Sequence, residues 1–98
     1  MTRNQFNGNL YHTTTDMLDA IAEEWVTGCG AWDEDTQRDI LDEWTDEELA
    51  AEAIDDWDLA RSEDGPTHME LNGYTAEDLA AAFARFRERF KVGASNRT

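Results

Sequence analysis

The chain has one cysteine, Cys29, which excludes an intramolecular disulfide and a zinc cage built from thiolates, so the fold must stand on packing alone. Cations are scarce: 8 Lys and Arg stand against 23 Asp and Glu, a formal net charge of -15. Phosphates of DNA, RNA or an anionic membrane repel such a surface, so direct contact with any of them is not expected, and a basic partner is favoured. No apolar run approaches the roughly 20 residues that span a bilayer. The N-terminal Met1-Thr2-Arg3-Asn4-Gln5 has no apolar segment behind it, unlike a secretory signal. These features read as a cytoplasmic protein. Gly-x-Gly-x-x-Gly and Walker sequences are also missing, so nucleotide phosphates have no evident cradle.

What is present is enough to fold. Forty per cent of the 98 residues are hydrophobic and four of the aromatics are tryptophan, which argues against disorder despite a mean hydropathy of -0.76. The length fits one core, hence a single domain over 1–98, with 1–13 as an N-terminal arm or short strand and 94–98 as a flexible tail. The charge is uneven. Residues 16–58 hold 17 Asp and Glu against the single Arg38, whereas Arg85, Arg87, Arg89, Lys91 and Arg97 face only Glu88 near the C-terminus. The chain reads as an acidic body with a basic tail. Acids favour first helical turns and cations last turns, but capping cannot absorb seventeen acids.

Periodicity and capping predict a mainly α fold, a compact bundle of about four helices. Thr14 or Thr15 caps a first helix in which Met17, Leu18, Ile21, Ala22, Trp25 and Val26 share one face, and Gly28-Cys29-Gly30 ends it. Asp33 fits the N-cap of a second helix with Ile40, Leu41 and Trp44 on its apolar side. Thr45-Asp46-Glu47-Glu48 is a capping box, placing a third helix from there to about Ala60, with Leu49, Ala50, Ala53, Ile54 and Trp57 inward. Thr75-Ala76-Glu77-Asp78 caps a last helix carrying Leu79, Ala82, Phe83, Phe86 and Phe90, with Gly93 marking its end. Between these, Ser62 to Pro66 is a breaker. The alternation of Met69 and Leu71 predicts a short strand over 67–72, paired with the N-terminal arm around Asn7-Gly8-Asn9.

No constellation for catalysis emerges. Cys29 between two glycines, with His12 and His68 elsewhere, has no motif spacing for a nucleophile and base or for a metal, and reads as a small thiol in a tight turn beside two ordinary histidines. The acid-rich stretch from Asp33 fails as an EF-hand loop, because its sixth and twelfth positions are Arg38 and Trp44 where glycine and glutamate are required. The sequence therefore implies no cofactor, no metal and no enzyme. Trp25, Trp44 and Trp57 fall in phase with their helices and read as core, whereas Trp32, in a turn beside the acidic run, is open to packing or to an interface hot spot.

The acids themselves are the main functional feature. Helical residues three and four apart lie about 5–6 Å from each other, so Asp35, Asp39 and Asp42 or Glu43 make a row of carboxylates that approaches the spacing of backbone phosphates. Trp32, Asp33, Glu34, Asp35, Asp39, Asp42, Glu43, Asp46 and Glu47 are thus the candidate partner-binding residues, facing a Lys/Arg surface that ordinarily holds nucleic acid. The alternative is an acidic surface that only solvates the protein.

The segment Met17-Leu18-Asp19-Ala20-Ile21-Ala22-Glu23-Glu24-Trp25, the turn Gly28-Cys29-Gly30-Ala31-Trp32-Asp33 and the acidic helices after it resemble the small acidic anti-CRISPR proteins of phages and mobile elements, especially helical inhibitors of type I-F systems. The resemblance covers roughly the first half of the chain and includes no diagnostic motif. It implies binding to Lys/Arg-rich surfaces of Cas subunits in a crRNA-guided complex, so that target DNA cannot bind or hybridise; separately, a monomer in the cytoplasm of a bacterial host cell is expected. An inhibitor of another DNA-binding or restriction protein would use the same charge logic, and a regulatory or scaffold module would bind through Trp32 and apolar patches instead.

Overall fold

A computed structural model describes residues 4–6, 8–28 and 34–95, without the side chains of Glu34 and of residues 91–95. The first elements among the described residues form a hairpin of β1 (Gln5–Phe6) and β2 (Asn9–Leu10), in which Gln5 pairs with Leu10 and Phe6 with Asn9. Gly8 takes a φ of +80° in the connection, a conformation that costs glycine nothing. Five helices follow: α1 (Thr14–Gly28), α2 (Glu34–Glu43), α3 (Asp46–Asp56), α4 (His68–Asn72) and α5 (Ala76–Ser95). The architecture is mainly α with one small antiparallel pair.

The helices start where side chains can satisfy the first free amides. Thr45 Oγ1 accepts from the Glu48 amide at 3.1 Å while Glu48 accepts from the Thr45 amide at 2.9 Å, completing the capping box of α3. Thr75 and Asp78 exchange the same pair of bonds ahead of α5. For α1 the hydroxyl that accepts, from Asp16, belongs to Thr13, one residue before the expected caps. All six predicted apolar residues of α1 are buried. They meet Leu49, Ala50 and Ala53 of α3 and Leu79, Ala80, Ala82, Phe83 and Phe86 of α5 in one core. The α5 helix packs chiefly on α1 and α3, and Trp25 sits edge-on to Phe83 with ring centroids 6.0 Å apart.

Three expectations need correction. The 67–72 segment is not a strand. Thr67 caps α4 through a second capping box with Glu70, and Gly73 closes it in the left-handed region at φ 70°. Short-range capping bonds outweigh the two-residue alternation of Met69 and Leu71, so the β pair is made within the arm alone. The third helix ends at Asp56 instead of near Ala60, because Asp58 takes a φ of +51° and the Leu59 amide turns back to the Ile54 carbonyl at 3.0 Å. The last helix runs through Gly93 to Ser95; a single helical glycine is tolerated at a cost of about 1 kcal/mol.

The arm is anchored by polar contacts. Asn72, 1% exposed, accepts from the Asn4 amide through Oδ1 and donates from Nδ2 to the His68 carbonyl at 2.8 Å. Phe6 packs against Trp57, ring centroids 5.3 Å apart. The first residues described are thereby tied to α4 and to the turn after α3.

Candidate functional site

The geometry of α2 follows from its pattern. Leu41 is buried and Ile40 and Trp44 are half-buried against the core, which turns Asp35, Asp39, Asp42 and Glu43 to solvent. Asp35, Asp39 and Asp42 are successive members of one helical row, and the Asp35 side chain is 91% exposed even while it meets Arg38 at 3.3 Å. Glu47 continues the exposed acids onto the first turn of α3. Trp32 and Asp33 lie outside the described residues, as does the side chain of Glu34, whose backbone opens α2.

Asp46 does not belong with that row. Its carboxylate, 27% exposed, accepts from Nε of Arg87 and lies 3.1 Å from Nη2. The same guanidinium donates from Nη1 to the Leu41 carbonyl and from Nη2 to the Trp44 carbonyl at 2.9 Å. Arg87 therefore satisfies free carbonyls at the end of α2 and a carboxylate at the start of α3, locking the corner between them. Asp19 of α1 receives Arg85 at 2.7 Å and Arg89 at 3.8 Å. The basic segment is thus folded back onto the acidic body, an arrangement not anticipated from the sequence. Its signal was present: in a helix, residues 85 and 89 share a face whereas 87 points away, so Arg-x-Arg-x-Arg serves two different neighbours.

These contacts sharpen the charge asymmetry of the surface. Each of the five arginines with a described side chain pairs with an aspartate: Arg38 with Asp35, Arg61 with Asp58, Arg85 and Arg89 with Asp19, and Arg87 with Asp46. Among the acids, Glu48, Glu70 and Asp78 are committed to caps and Asp56 accepts from Nε1 of Trp25 at 3.2 Å. Asp39, Asp42, Glu43 and Glu47 are exposed and form no ion pair with a described residue. Among the described residues they present concentrated negative charge with no paired cation on α2 and the start of α3.

No family model, curated protein or solved structure matches this chain. Any function must be argued from its own residues.

The histidines are placed differently from each other. His12 is exposed, whereas His68 is half-buried and has both ring nitrogens engaged. Because the Gln5 carbonyl can only accept, Nε2 donates to it at 2.8 Å, and in the tautomer this selects, Nδ1 accepts from the Tyr74 hydroxyl at 2.7 Å. Burial raises the Tyr74 phenol above its ordinary value of 10, which keeps that donor protonated. His68 is therefore a fastener between the hairpin and the turn into α5. Cys29 falls outside the described residues. Among the described residues no group of three or more His, Cys, Asp or Glu is placed to hold a metal ion, and no helix is long and apolar enough to cross a membrane.

Proposed function

We propose that this protein is a non-enzymatic inhibitor that acts in the cytoplasm as a monomer, laying the acidic face of α2 and the start of α3 against a Lys/Arg surface that otherwise holds nucleic acid. The observation that carries the reading is the exposed row Asp35, Asp39 and Asp42, extended by Glu43 and Glu47, of which only Asp35 meets an arginine with a described side chain, the exposed Arg38. A basic groove built for phosphates attracts such a row over a distance set by salt, and close contact then excludes the nucleic acid. By its resemblance to type I-F inhibitors, the target class is the crRNA-guided surveillance complex, met at its Cas subunits and blocked before target DNA binds or hybridises. The same face would serve against another DNA-binding or restriction protein.

The test is capture from lysate of the natural host with two immobilised baits, the wild-type protein and Asp35→Lys/Asp39→Lys/Asp42→Lys, with mass spectrometry of what is retained. The reading expects a nucleic-acid-binding protein on the wild-type bait that duplex DNA displaces and that the reversed bait does not hold. The same set of proteins on both baits, or retention unaffected by DNA, would reduce the acidic face to a solubility device.

A further inference from the structure

Asparagine followed by glycine occurs at Asn72-Gly73, and this pair carries a reaction of its own. Once the glycine amide nitrogen has lost its proton to solvent, it can attack the asparagine Cγ. The N–Cγ bond forms, the Cγ–Nδ2 bond breaks, and Nδ2 leaves as ammonia after taking up a proton in place of the one released, which closes a succinimide ring. Water then opens the ring at Cγ to give aspartate, or at the backbone carbonyl to give isoaspartate. Glycine favours the reaction because it has no Cβ to obstruct the approach and turns readily into the geometry required.

In the folded protein each reacting group is held. Asn72 is 1% exposed, its Oδ1 accepts from the Asn4 amide, and its Nδ2 donates to the His68 carbonyl. The N–H of Gly73, the nitrogen that would attack, donates to the Met69 carbonyl. Asn4 also belongs to the hairpin, since its carbonyl accepts from the Tyr11 amide at 2.9 Å. The α4 helix has only five residues, too few to persist without tertiary support, and the hairpin bonds to it through Asn72 and His68. Lifting the arm therefore frees Oδ1 and removes support from the turn that holds the Gly73 amide. We propose that Asn72 is a spontaneous deamidation site gated by the arm, which reacts when the hairpin lifts from α4 and whose product keeps the arm from docking again. A carboxylate at position 72 can only accept, so the His68 carbonyl loses its donor and a charge falls at a buried position. Isoaspartate also adds a carbon to the backbone at the α4 cap. The step is one-way, requires only water, and is independent of what the α2 face binds.

The test is incubation of the intact protein at neutral pH, with peptide mapping by mass spectrometry to separate Asn72 from its aspartate and isoaspartate products and from the other such pair, Asn7-Gly8, whose asparagine lies outside the described residues. A site reached by local opening reacts in proportion to the open population. Conversion at Asn72 should be at least about tenfold slower in the native protein than in guanidinium, and about tenfold faster in His68→Phe than in the native wild type, from loss of the bonds to Gln5 and Tyr74. Ala82→Gly, on the buried face of α5, weakens the fold away from these bonds and should leave the rate near that of wild type. In Asn72→Asp, hydrogen exchange at the Tyr11 amide should match that of an open arm. Equal rates in native and denatured protein, no acceleration in His68→Phe, the same acceleration in Ala82→Gly, or a protected Tyr11 amide in Asn72→Asp would each overturn the proposal.

Discussion

Removing the Arg87 guanidinium is the most informative single perturbation of the fold, because one side chain joins three elements. In Arg87→Ala the Leu41 and Trp44 carbonyls lose their donor and Asp46 loses its cation in a setting where the two side chains are only 20% and 27% exposed. A hydrogen bond to a charged group contributes about 1.5–3 kcal/mol, and breaking a fully buried ion pair costs about 3–5 kcal/mol. Partial exposure lets water replace some of this, so we expect a net loss of about 2–3 kcal/mol. For a domain of this length each kcal/mol lowers Tm by about 4–8 °C, giving a fall of at least about 8 °C. Arg38→Ala removes an exposed pair with Asp35, worth about 0–1 kcal/mol, and serves as the control. Thermal unfolding followed by far-ultraviolet circular dichroism reads both. Arg87→Lys should recover little, because an ammonium cannot span two carbonyls and a carboxylate in one plane. Equal stability of Arg87→Ala and Arg38→Ala, or full rescue by lysine, would refute the corner-locking role.

Asn72→Ala strips the Asn4 amide and the His68 carbonyl of their buried partner and should cost about 1–3 kcal/mol, with hydrogen exchange rising in the hairpin before the helices; uniform exchange would separate the arm from Asn72. Tyr74 has a folded pKa raised above the unfolded value of 10, so its contribution is intact below pH 10 and is lost as pH climbs toward the folded value, at about 1.4 kcal/mol per pH unit. Denaturant titrations from pH 9 upward should show that decline, and Tyr74→Phe should flatten it; an unchanged alkaline slope in the variant would assign the loss elsewhere. Leu79→Ala, at a fully buried position, should cost about 2–5 kcal/mol by chemical denaturation, and a loss under 1 kcal/mol would mean that α5 does not close the core as described.

Much of the fold is legible because local and global signals agree. Thr45 and Thr75 announce their helices by capping, and the apolar stripe from Met17 to Val26 is buried as a unit. At Thr67 two local rules compete. Met69 and Leu71 alternate like a strand, yet Thr67-His68-Met69-Glu70 also carries the Thr-x-x-Glu pattern of a cap, and the cap prevails because it satisfies amides within four residues without a distant partner. The α3 terminus is illegible for another reason: Asp58 in the left-handed region is a turn that no glycine marks. Of the proposed binding residues, helical phase places Asp35, Asp39, Asp42 and Glu43 outward correctly, since Leu41 and Trp44 fix which side faces the core. The same phase cannot reveal that Asp46 is claimed by Arg87, forty-one residues away. That pairing depends on how α5 lies across the α2–α3 corner, which is tertiary information.

The central claim, that the α2 face competes with nucleic acid for a basic surface, is tested most directly by isothermal titration of a purified type I-F surveillance complex with this protein at two salt concentrations, with and without target duplex DNA. The account predicts binding that weakens as salt rises, is abolished by saturating DNA, and falls by far more for Asp35→Lys/Asp39→Lys/Asp42→Lys than for Glu77→Lys/Asp78→Lys, whose charges sit in the first turn of α5. Undiminished binding in the presence of DNA, or equal losses for the two reversals, would contradict it.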